Sequence, residues 1–140
     1  MMTPTTRKLI WAVALLHVVF CIVEIFLWET LTPVVELYDP VLARQADSKT
    51  AALTTTLGRN CGVYNGILAG ALVWLLTRKD LSPGAERSLA TYLLTCIVIA
   101  GLFGGIMIKP SILLVQFLPA VVTLINLWRT SNRGSGVSGS

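Results

Sequence analysis

The sequence predicts an all-α integral-membrane protein, an up-down bundle of four transmembrane helices with short loops except between the first and second. Three observations predict it. The 140-residue chain is 54% hydrophobic and 13% charged, with a mean hydropathy of +0.74. Too few charges remain to cover a water-facing surface, and too much apolar matter remains to hide in one small core. Four apolar runs, at residues 9–27, 57–77, 88–108 and 111–128, each approach the length of about 20 residues that crosses a hydrocarbon core about 30 Å thick. Prolines and charges gather between these runs, so residues 1–128 form one membrane domain.

The first run follows Arg7-Lys8 and ends at Trp28-Glu29-Thr30, an aromatic anchor followed by charge at an interface. Its apolar stretch of about 19 residues exceeds the core of a secretory signal, about 7–15 residues, and no small-residue cleavage site follows it. It reads as a retained helix. The next segment carries Pro33, Pro40 and the acids Glu29, Glu36, Asp39 and Asp47, so it lies outside the hydrocarbon, with residues 44–57 suited to a short surface helix. The second run closes at Arg78-Lys79 and a turn around Ser82-Pro83-Gly84. Lys109-Pro110 makes a hairpin from the third run into the fourth, and the Ser/Gly-rich residues 129–140 are expected to be a disordered tail.

Charge then orients the bundle. Arg7, Lys8, Arg78, Lys79, Arg87, Arg129 and Arg133 fall on one side, and Arg44, Lys49, Arg59 and Lys109 on the other. The positive-inside rule places both termini in the cytoplasm of a multi-pass protein of the inner (plasma) membrane. These bases are scattered at span ends with no clustered groove, so nucleic acid is not an expected partner. Cys21, Cys61 and Cys96 lie inside spans without C-x-x-C spacing, and the lone His17 offers no ligand set. No metal or cofactor is expected, and no nucleotide-binding glycine motif is present.

Gly62, Gly66 and Gly70 repeat every four residues on the second span, as Gly101 and Gly105 do on the third. Small residues in register let helix backbones approach closely where lipid supplies no hydrophobic drive between helices. Contact between the second and third helices is the expected result.

Ionisable groups inside a membrane are expensive, about 2.5–3.5 kcal/mol at a helix centre, so each calls for a reason. Glu24 is the clearest case. At about 100° per residue it shares a face with His17, Phe20, Cys21 and Trp28. In an up-down bundle Glu24, Trp28 and Glu29 lie at the same membrane side as Asn60, Tyr64 and Asn65, Lys109 and Gln116. The opposite end offers chiefly Thr91, Tyr92, Thr95, Thr123 and Asn126. Such segregation predicts a polar pocket at one end of the bundle, with His17 as its floor.

Three motifs, Phe26-Leu27-Trp28-Glu29-Thr30, Asn60-x-Gly62-x-Tyr64-Asn65-Gly66 and Leu113-Leu114-Val115-Gln116-x-x-Pro119-Ala120, stand in order along the chain. Together they resemble a family of small bacterial and fungal membrane proteins catalogued as domain of unknown function number thirteen hundred and four. The resemblance covers about residues 9–128 and implies a shared fold and a common site. It implies no activity. Relatives place Pro directly after the Thr of the first motif, whereas here Leu31-Thr32 intervenes before Pro33.

The residues suit a membrane-embedded enzyme or binder of a lipophilic small molecule. Glu24 is its candidate acid/base, with Tyr64, His17 and Lys109 as further catalytic candidates. Trp28, Glu29, Asn60, Asn65 and Gln116 are candidate ligand contacts. Isomerisation, epoxide opening or hydration would suit this inventory, and none is singled out. A proton-coupled exporter is the alternative: a lone membrane Glu in the first of four short helices is similar to the small multidrug exporters, which work as dimers. The long first loop counts against it. An accessory protein without chemistry, its polar groups serving as interhelical glue, is the third reading. The partners implied are membrane lipid, a lipophilic small molecule and, for the exporter, a second copy of the chain.

Overall fold

The computed structural model describes residues 2–28, 48–108 and 110–135. Four helices account for nearly all of them: α1, Pro4–Phe26; α2, Ser48–Thr77; α3, Pro83–Met107; and α4, Leu118–Ser135, which is preceded by a π-helical turn, Leu113–Phe117. No strand occurs among the described residues. All four spans are long and apolar enough to cross a membrane, as Pro4–Phe26, Thr54–Thr77, Pro83–Met107 and Leu113–Thr130.

Helix ends follow local chemistry. The Thr3 hydroxyl accepts from the Thr6 N–H at 3.2 Å, and Pro4 opens α1 without a donor to leave unsatisfied. Ser82 caps α3 in extended geometry, its Oγ accepting from the Ala85 N–H at 3.2 Å, with Pro83 next. The helix therefore starts five residues before the expected 88. Helix α2 starts at Ser48, so residues 48–57 of the expected surface helix run on without a break into the second span; 44–47 lie outside the described residues. Within 48–57, Ser48 and four threonines are indifferent helix formers, but no proline intervenes, and Gly58 costs about 1 kcal/mol against Ala, too little to break a helix.

Helix α4 runs to Ser135, so residues 129–135 are helical where a disordered tail is expected; 136–140 lie outside the described residues. One glycine and no proline stand in that stretch, and each added residue brings one backbone hydrogen bond. The π turn has its own cause. Pro119 lacks an N–H and its ring crowds the preceding turn, and the helix widens just before it, the Leu118 N–H reaching the Leu113 carbonyl.

The chain forms two compact units, one of residues up to Leu16 and from Leu68 onward, the other His17–Ile67. In the first, Ile10, Val13 and Ala14 of α1, Leu72, Leu75 and Leu76 of α2, Ala90, Leu94 and Ile97 of α3, and Ala120, Leu124 and Leu127 of α4 make one buried cluster. Each set repeats at three- and four-residue steps, the stripe one helix face presents. Lipid is as apolar as leucine, so close packing and dispersion hold this cluster, not escape from water.

Glycine decides where backbones meet. A Cβ on Gly101 would lie 2.7 Å from the Phe117 nitrogen and 2.9 Å from its Cα, and one on Gly105 would strike the Leu113 side chain. In the second unit a Cβ on Gly62 would lie 2.7 Å from Ile25 Cγ1, and one on Gly66 2.9 Å from Cys21 Sγ. Close approach is as expected, but the partners differ. The α2 glycines meet α1 and the α3 glycines meet the chain entering α4, so neither seam joins the second helix to the third. Gly70 has nothing within 4 Å and belongs to no seam.

Candidate functional site

On α1 the face containing Phe20, Cys21 and Glu24 is partly buried, while Val19, Ile22 and Phe26 are exposed. The face read from the sequence is the inward one. It packs on the glycine side of α2, where a Cβ on Gly58 would run into the Trp28 ring. The Trp28 indole N–H donates to Thr54 Oγ1 at 3.2 Å, so Trp28 is held across the first turns of the span.

Glu24 sits in the last turn of α1, half-buried. Asn65 Nδ2 donates to its Oε2 at 2.7 Å, and Oε1 has no hydrogen-bond partner among the described residues. Among the described residues of the expected constellation, Asn65 is the one hydrogen-bonded to Glu24. Helix geometry explains the rest. Gly58, Gly62 and Asn65 fall on one side of α2, whereas Asn60 and Tyr64 are turned about 140° and 100° from Asn65. Both are exposed, Tyr64 to 60%.

His17 is 1% exposed and stacks edge-on against Phe20, ring centroids 5.7 Å apart. Seven residues of α1 rise about 10 Å, so it does not reach Glu24. Gln116 is half-buried in the π turn, in the other unit. Glu29 and Lys109 lie outside the described residues. No group of three His, Cys, Asp or Glu among the described residues could hold a metal ion.

The first unit holds buried polar contacts of its own. In the first unit Thr6 Oγ1 donates to Asn126 Oδ1 at 2.8 Å. Glu86, only 7% exposed, pairs with Arg7 at 2.5 Å and accepts from the Met2 N–H at 3.1 Å; Arg7 also donates to the Leu76 carbonyl near the end of α2. The sequence reading missed Glu86. Its signal was an acid in the first turn of a helix, where the dipole favours negative charge.

Four apolar helices with polar groups held between them make this a multi-pass membrane protein. The chain belongs to the family described as Protein of unknown function (DUF1304), which it matches over residues 11–128. No curated protein and no solved structure matches the chain.

Proposed function

We propose that the chain is a membrane-embedded binder of a lipophilic small molecule, with Glu24 as the group that exchanges a hydrogen bond or a proton with it. The observation that carries this reading is the Glu24–Asn65 pair, in which one carboxylate oxygen is fixed at 2.7 Å and the other is left open among the described residues. Magnitudes support it. A membrane hydrogen bond averages about 0.6 kcal/mol, whereas a charged side chain costs about 2.5–3.5 kcal/mol at a helix centre. The end of α1 lessens that figure, but an acid in a last turn also opposes the helix dipole, by about 0.3–1 kcal/mol. Stability alone does not select Glu at this position. A carboxylate aimed by Asn65 is suited to general acid/base work on a ligand arriving from the bilayer. The seven bases on the termini side against four on the other support cytoplasmic termini and a site opening on the non-cytoplasmic side.

The accessory reading has one observation in its favour: the Glu24 face of α1 is also the face that packs on Gly58, Gly62 and Gly66. Glu24→Gln separates the two, since it keeps shape and hydrogen bonding and removes the titrating group. Solvent extracts of purified wild-type and Glu24→Gln protein would be compared by mass spectrometry, with thermal unfolding in detergent alongside. The binder reading expects a lipophilic compound enriched on wild type and depleted on a variant of nearly unchanged stability. The same extracts from both proteins would leave only the accessory role.

A further inference from the structure

Away from Glu24, a cavity of about 370 Å³ opens where the start of α1, the end of α2 and the start of α3 come together, lined by Met2, Arg7, Arg78, Lys79, Leu81 and Glu86. Its size falls within the range of small-molecule sites, about 300–1,000 Å³. Its depth is marked by tryptophan. Trp11 lies one turn along α1 from Arg7, Trp74 one turn before Arg78 and Trp128 next to Arg129, and all three are about half-exposed. Tryptophans at the ends of apolar spans mark the headgroup level.

The charges on the wall divide unequally. Arg7 neutralises Glu86 and covers the Leu76 carbonyl, which removes the two negative features nearest the cavity. Arg78 Nε donates to Asp80 Oδ1 at 2.7 Å, and its guanidinium lies 5.4 Å from the Trp74 ring centre. Asp80 is held below the usual carboxylate range, first by that side-chain hydrogen bond, so it stays ionised and fixes Arg78. Lys79 is exposed and pairs with no acid among the described residues. A net positive wall remains, with Met2 and Leu81 as apolar neighbours.

We propose that this cavity holds the headgroup of a phosphate-bearing anionic lipid, the phosphate contacted by Lys79 and the outer edge of Arg78 and the glycerol region resting on Met2 and Leu81. A free phosphate shares the charge chemistry but would not use the apolar wall or the headgroup depth. Lipid is therefore the source the observations favour.

The test titrates the full chain in detergent with phosphatidylglycerol, phosphatidylcholine or inorganic phosphate and reads bound adducts by native mass spectrometry. Wild type should prefer phosphatidylglycerol, and Lys79→Gln should weaken it about fivefold, the loss expected of one basic residue at a membrane surface. Lys79→Arg should retain binding. Arg129→Gln, exposed but outside the cavity, should leave it unchanged, and Asp80→Asn, which releases Arg78, should tighten it. An equal loss in Arg129→Gln would reduce the effect to diffuse surface charge and overturn the site. Undiminished binding by Lys79→Gln, or inorganic phosphate competing as well as the lipid, would overturn it too.

Discussion

Arg7 and Glu86 stand 79 residues apart in the chain and form an ion pair of 2.5 Å that ties the start of α1 to the first turn of α3. Losing one member of a fully buried pair costs about 3–5 kcal/mol. The Arg7 side chain is 35% exposed, so water recovers part of that, and we expect Glu86→Ala to cost about 1–3 kcal/mol. Glu86→Gln keeps an acceptor for the Met2 N–H and should cost less. Thermal unfolding in detergent checks both; equal stability of wild type and Glu86→Ala would show that the pair contributes nothing.

The two kinds of glycine part company on substitution by alanine. At Gly101 the new Cβ meets the Phe117 backbone, which cannot swing aside, and overpacking of that kind costs about 1–3 kcal/mol. At Gly70 it meets nothing, and the better helix former should gain up to about 1 kcal/mol. Melting temperatures that move oppositely are the expected outcome, and a shared direction would count against the seam.

At Glu24 the informative comparison is between one substitution and two. Asn65→Leu leaves the carboxylate without its described partner and should cost about 1–3 kcal/mol, whereas Glu24→Leu with Asn65→Leu replaces both partners and should recover most of it. If the site binds a ligand, the double variant is stable and empty. Unfolding and ligand extraction on the same samples give both readouts; a double variant that still retains the ligand would remove Glu24 from the site.

Orientation is open to direct chemistry. In a background with Cys21, Cys61 and Cys96 replaced, Ser48→Cys should react with an impermeant thiol reagent on intact cells, and Ser131→Cys only after permeabilisation. The reverse pattern would invert the protein while leaving its internal contacts as they are.

The inward face of α1 was legible because its period is local: positions 20, 21, 24 and 28 need only 100° per residue to be set on one side. The same rule, applied to α2, would have separated Asn65 from Asn60 and Tyr64, which motif proximity had grouped. The start of α2 at Ser48 was hidden because Thr and Ser read as loop-like by polarity, while nothing in that stretch breaks a helix. Glu86 was hidden for a different reason. Its partner is remote in sequence, and no periodicity links the first turn of α3 to Arg7.

The glycine seams bear on the order of synthesis. Gly62 and Gly66 close on Ile25 and Cys21, and Gly101 and Gly105 on Phe117 and Leu113, so each tight contact joins a helix to its neighbour in the chain. A nascent hairpin of the first two helices carries its own seam before the third has left the ribosome, and the last two helices carry theirs as translation ends. Insertion can then proceed by pairs, without a lone helix waiting in lipid for a distant partner.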